Sequence, residues 1–305
     1  MRIIMGLFSR DKLLLVVCVL LSACAPSSFQ AEDGQPLAAP LPTEADFFND
    51  RLANGEAGPK MVRLPAASYV MGCQVAADCY DDDRPLRLVT IPEGVALMVH
   101  EVSFSQYDAY AKAANIELPD DRGWGRGDRP VINVTWDDAV AYAQWLSQQT
   151  GQHYQLPSES VWEYAARAGT TTPFFFGDDI NQLCLYGNVA DISEARDRGG
   201  KPLITCDDGV GRRTAPVASY KPNPFGLYDM NGNVREWLQD CYHDSYRNAP
   251  SDGRARVEDC NTEEQVLRGG AWFSFPWITA SSTRQSAEPY AASFSMGFRL
   301  MRIAR

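Results

Sequence analysis

The chain has 305 residues, a formal net charge of −11 and 45% hydrophobic residues, including eight cysteines and three histidines. That apolar content suffices for a sizeable core, whereas the acidic balance excludes the basic surface that nucleic acid requires. Without a Cys-x-x-Cys spacing, and with His100, His153 and His243 scattered, a zinc-ribbon or zinc-finger class is excluded as well.

Arg2, Arg10 and Lys12 flank an apolar run, residues 13–21, that is too short to span a bilayer. It ends in Leu21, Ser22, Ala23 and Cys24, which looks like a bacterial lipobox. Residues 1–23 are then a lipoprotein signal peptide, and Cys24 is the lipidated first residue. An ordinary secretory signal cut near Ala25 is the competing reading. Residues 24–60 are rich in Pro, Ala, Gly and acids and read as a flexible tether, leaving 61–305 as one folded domain. Removing Cys18 and Cys24 leaves six thiols with fifteen possible pairings, of which proximity favours Cys73–Cys79, Cys184–Cys206 and Cys241–Cys260. Such pairing points to an oxidising compartment.

Short strands are expected at 61–64, 69–71 and 88–91, with Asp81, Asp82 and Asp83 in a solvated loop between the last two. Ser103 and Gln106 form a capping-box pattern ahead of an apolar stripe of Phe104, Tyr107, Ala111 and Ala114. A second helix follows Thr135, with Asp137 and Asp138 at its positive end and Gly151 at its stop. Ser158 caps a third over 159–168, where Glu163 and Arg167 are an i,i+4 pair and Gly169 is the terminator. Turn residues then dominate up to a strand at Val266, and 296–300 reads as a closing strand. A loop-rich span of that length inside a compact domain needs extra anchors, which disulfides and bound cations supply. Within it, Asp229 and Glu236 bracket a Gly-rich turn, so their carboxylates and intervening carbonyls suit a hard cation such as calcium. His243 reads as a surface or loop residue.

Six blocks then carry a resemblance, in order: 69–72 (YVMG), 100–103 (HEVS), 130–136 (PVINVTW), 156–165 (LPSESVWEYA), 225–237 (FGLYDMNGNVREW), and 267–272 (LRGGAW) with 297–300 (GFRL). Together they resemble the sulfatase-modifying factor, or formylglycine-generating-enzyme (FGE-sulfatase), family. The resemblance implies an irregular, loop-rich α+β domain of C-type-lectin-like fold, stabilised by calcium and disulfides. It implies one calcium site from Asp229, Glu236 and the carbonyls of Gly232 and Val234. A second is implied from Asn188, Asp208 and the carbonyls of Val189 and Val210.

Oxygen-using members of the family hold copper through two thiolates beyond the Arg-Gly-Gly block. Here those positions are Ser274 and Thr279, and a hydroxyl does not replace a thiolate as a soft ligand. No copper is therefore expected. The three-histidine iron centre of another branch finds no counterpart either. What remains is a periplasm-facing outer-membrane lipoprotein that binds a protein, peptide or glycan through a groove near Trp272, Ser274, Trp277, Thr279 and Arg284. By resemblance, such a protein acts upstream of a type VI secretion signalling kinase. The alternative is a periplasmic oxidoreductase similar to the enzymes of pyoverdine maturation.

Overall fold

The computed structural model describes residues 45–74, 79–260 and 263–304. The signal peptide, Cys24 and the first part of the tether lie outside the described residues. In chain order the elements are β1 (Phe47–Arg51), β2 (Ala57–Arg63), β3 (Ala67–Met71), β4 (Arg87–Ile91) and β5 (Val95–Met98). Then come α1 (Phe104–Ala114), α2 (Trp136–Thr150), β6 (His153–Gln155), α3 (Glu159–Arg167) and α4 (Ile192–Arg198). The chain closes with β7 (Arg235–Cys241), β8 (Gln265–Arg268), β9 (Gln285–Ala287), β10 (Met296–Gly297) and β11 (Met301–Ile303).

The helices start and stop where local chemistry dictates. Ser103 caps α1 and exchanges the reciprocal bonds of a capping box with Gln106. Thr135 does the same for α2 with Asp138, and Gly151 ends that helix at φ +67°. Ser158 caps α3, but the left-handed residue that terminates it is Ala168, one position before the expected Gly169.

β-Strands form a five-stranded sheet ordered β1-β2-β5-β11-β6, a four-stranded sheet ordered β10-β7-β8-β9, and the β3-β4 hairpin. β11 lies antiparallel to both β5 and β6, so the C-terminal residues close the first sheet. Two large clusters fill the interior. One gathers Met98, Phe104, Tyr142, Trp237 and Phe298; the other gathers Met71, Trp162, Tyr164, Phe225 and Leu238.

Four expectations are corrected. Folded chain reaches back into the supposed tether, because β1 pairs with β2 and Phe48 packs on the first cluster under Arg63. The closing strand expected at 296–300 is reduced to β10 at Met296–Gly297, and the strand that closes the first sheet, β11, begins only at Met301. β7 arises where only turns were expected. Its Glu236 and Asp240 are buried among partners, so the strand lacks the apolar alternation that a half-exposed strand displays. Asp83, assigned to a solvated loop, is 1% exposed, whereas Asp81 is exposed.

All three disulfides form as proximity favours: Cys73–Cys79, Cys184–Cys206 and Cys241–Cys260. The second fastens the loop-rich span beside a small cluster of Phe174, Leu183, Val189, Ile204 and Ala280.

Candidate functional site

Three loops meet at one junction. Gly232 donates its N–H to the Gly269 carbonyl, Asn233 donates to the Asn188 carbonyl at 2.8 Å, and Trp272 donates to the Asn233 carbonyl at 3.0 Å. Asn231 donates its side-chain amide to the Thr279 carbonyl at 2.7 Å, and Ala190 donates to the Ser274 carbonyl. Both segments expected to hold calcium and the Arg-Gly-Gly loop, legible only as separate blocks, are thus stitched into one piece. Gly232 is required there: φ is +93°, and a Cβ would stand 1.9 Å from the Asn188 carbonyl oxygen.

Within the junction the side chains divide. Asp229 is buried with Oδ1 lacking a hydrogen-bond partner, while Oδ2 accepts the Ala218 N–H. Burial pushes its carboxyl up to about 6. An orphaned buried carboxylate oxygen fits a cation. Glu236 fits less well. Its Oε2 accepts from Trp162 Nε1 and Arg299 Nε, and its Oε1 from Arg299 Nη2, so a calcium ion there would stand against a guanidinium. Glu101, missed in the sequence, is the third acid of this group. It is fully buried and accepts from the Val234 N–H and the Asn233 side-chain amide. Burial first, then the Asp229 and Glu236 charges, holds it well above the usual carboxylate range.

At the second segment Asn188 is buried and donates its amide to the Arg213 carbonyl. Val189 packs in the small cluster beside the Cys184–Cys206 disulfide. Asp208 accepts from the Val210 N–H, Ser193 and Tyr220. Its nearest acidic company is Asp191 and Asp207, with one oxygen from each of the three within 4.8 Å of the others. Asp207 is paired with Arg196 at 2.8 Å, and Asp191 accepts the Glu194 and Asp208 N–H groups, so these oxygens are of the type a hard cation takes but would have to be shared with those partners.

At the copper positions the chemistry differs. Ser274 Oγ accepts the Ala271 N–H at 2.9 Å, and Thr279 Oγ1 donates to the Pro276 carbonyl at 2.8 Å. Both side chains are buried and serve the loop's own backbone. A donor set of two engaged hydroxyls does not fit a thiolate-bound copper.

The groove assignment is corrected in part, since Trp272, Ser274, Thr279 and Arg284 are buried. Trp277 is 46% exposed, lies tilted against the equally exposed Phe275 at 5.0 Å between ring centroids, and lines a cavity of about 230 Å³ with Cys73, Arg167, Phe174, Ile180 and Thr283. Tyr290 is also exposed; Phe273 and Phe294 pack around Trp272.

Beneath the cavity lies a buried ion network. Arg268 donates to Glu159 at 2.9 Å and Glu163 at 2.7 Å, Arg284 grips both oxygens of Glu159, and Arg167 pairs with Glu163 at 2.8 Å. Burial works against the Glu159 charge, but Arg284 and Arg268 outweigh it and hold its carboxyl below the usual range. His243 is buried rather than superficial, with its ring nitrogens against the Cys241 and Asp259 carbonyls.

Residues 49–304 match the model of the sulfatase-modifying factor enzyme 1-like domain. The chain belongs to the sulfatase-modifying factor family. It is 34% identical over 188 residues to the formylglycine-generating enzyme of Streptomyces coelicolor, covering 57% of this chain and 53% of that enzyme, so it spans about half of that relative's length. Against the mouse protein named inactive C-alpha-formylglycine-generating enzyme 2 it is 26% identical over 303 residues, covering 82% of this chain and 88% of that one. The solved structure of PvdO from Pseudomonas aeruginosa superposes with a TM-score of 0.73 at 34% identity, covering 85% of this chain and 98% of PvdO. This similarity agrees with the irregular α+β fold assigned to the family from its sequence blocks.

Proposed function

We propose that this member of the sulfatase-modifying factor family is a recognition module and not a copper oxidase. The observation that carries this reading is the use of the Ser274 and Thr279 hydroxyls as internal hydrogen-bonding groups, at the positions where oxidising relatives hold metal by sulfur. The exposed Trp277, which lines the cavity, and its exposed neighbour Phe275 offer large contact area on few rotors, which suits binding of a periplasmic protein, peptide or glycan. A secretion-system signalling kinase is one such partner class. Three disulfides support an oxidising compartment, and with Cys24 as a lipid anchor the domain faces the periplasm from the outer membrane. Calcium in this reading is structural. The carboxylates of Asp208, flanked by Asp191 and Asp207, and the free oxygen of Asp229 would hold it, with nearby backbone carbonyls completing the shell.

A second reading, an oxidoreductase of siderophore maturation, is favoured by the match along nearly all of PvdO. Capture from envelope extracts, comparing the native protein with a Phe275→Ser/Trp277→Ser double variant, tests the first reading. The expected result is one retained partner that the variant loses. Equal retention by both proteins, or stoichiometric copper or iron in the purified native protein, overturns it.

A further inference from the structure

The Cys73–Cys79 disulfide has an unusual neighbour. One carboxylate oxygen of Asp83 and the two sulfurs all lie within 4.8 Å of one another. The backbone holds this arrangement, because the Cys73 N–H donates to the Asp83 carbonyl at 3.2 Å just past the end of β3. Asp83 is 1% exposed, and neither carboxylate oxygen closes a hydrogen bond, although the Tyr80 amide lies near enough to soften the cost. A buried carboxylate without partners is expensive. The cations nearby are committed elsewhere: Arg268 to Glu159 and Glu163, Arg167 to Glu163 and the Gly72 carbonyl. The ion network that satisfies its acidic neighbours therefore leaves Asp83 out.

We infer that Cys73, Cys79 and Asp83 form a redox-gated site for a borderline divalent cation of the zinc type. In the oxidised protein the disulfide closes it. A dithiol reductant transfers two electrons to the S–S bond, which breaks to give two thiols while the reductant becomes a disulfide. Metal binding then displaces the two thiol protons and leaves two thiolates and one carboxylate as ligands. Zinc takes sulfur at about 2.3 Å and carboxylate oxygen at about 2.0–2.2 Å, so once the S–S bond is broken the two sulfurs must part to about 3.7 Å to share one tetrahedral ion with the Asp83 oxygen, a separation that side-chain rotation from Cα atoms 5.3 Å apart allows. Three protein ligands leave a fourth position open, the pattern of a reactive rather than a sealed site. Cys73 also lines the 230 Å³ cavity with Gln74 and Trp277, so that position has a route to an outside ligand. Sequence spacing conceals the set, because five residues separate the cysteines and the acid is brought alongside by the fold.

Cobalt(II) is the probe, since thiolate ligation gives it a near-ultraviolet charge-transfer band and intense visible bands when four-coordinate. The purified protein is titrated before and after reduction with a phosphine, and near-ultraviolet circular dichroism verifies that the reduced form stays folded. The expected result is no band before reduction and one equivalent bound after it. Asp83→Asn, which keeps both cysteines, is expected to weaken binding about tenfold or more. Cys73→Ser/Cys79→Ser abolishes the band, whereas Cys241→Ser/Cys260→Ser leaves it unchanged. Equal affinity in Asp83→Asn, a band surviving in Cys73→Ser/Cys79→Ser, or no cobalt uptake by the folded reduced protein overturns the inference.

Discussion

Arg268 has no exposed surface and satisfies two glutamates on one helix at once. Its removal leaves Glu159 leaning on Arg284 and Glu163 on Arg167, with a void where a guanidinium stacked over Trp162. Arg268→Ala is therefore expected to cost about 3–5 kcal/mol in urea unfolding, the range for breaking a buried pair. Asp240 makes a different prediction. Its carboxyl accepts the N–H groups of Glu159 and Arg256, yet burial, then the Glu159 charge, raises it to about 7. Unfolded, an aspartate titrates near 3.9 (approximately the model-peptide value). Between those values the folded chain holds a proton that the unfolded chain has released, so this group makes stability fall as pH rises through the window and the loss is complete above about 7. Denaturation at a series of pH values should show a shallower decline in Asp240→Asn; an unchanged slope assigns the effect to another group. Such residues were hard to read from sequence for one reason. Glu101 and Asp240 are buried acids, and charge in a sequence reads as solvent unless its partners are known.

Among the elements, those whose ends are written in short-range chemistry were legible. Ser103, Thr135 and Ser158 each cap the helix expected after them, because a hydroxyl that accepts a first-turn N–H acts within three residues. Thr135→Ala loses the hydroxyl that accepts the Asp138 N–H and donates to the Asp138 carboxylate, while the Thr135 backbone N–H keeps its bond to Asp138, so urea unfolding is expected to show a loss of about 1 kcal/mol. β1 and β7 were not legible, since their stability comes from partners distant in sequence: Val62 and Met61 for β1, Arg268 and Leu267 for β7. The junction of three loops is of the same kind. Its Asp229, Gly232 and Asn188 were picked out as separate ligand sets, but nothing local showed that Gly232 lies against Asn188. Gly232→Ala should force that contact apart, and soluble yield and thermal midpoint should both fall sharply; a variant with the native midpoint would mean the loops are not in contact.

For the whole molecule, the long irregular span between α3 and β7 is held by the Cys184–Cys206 bond, a small apolar cluster and backbone bonds to neighbouring loops. Cys184→Ser/Cys206→Ser is expected to lose about 2–5 kcal/mol by unfolding in guanidinium. Chelation adds a separate test. If cations neutralise the Asp191, Asp207 and Asp208 group, EDTA lowers the thermal midpoint and added calcium restores it. Family and fold were readable because six blocks survive in order; the role was less so, because it turns on what two hydroxyls do once folded. The direct measurement is mass spectrometry of a cysteine-containing sulfatase peptide incubated with the purified protein, copper and oxygen. The peptide is expected to keep its thiol, since Ser274 and Thr279 are bonded to their own loop. Turnover of that cysteine to the aldehyde would contradict it.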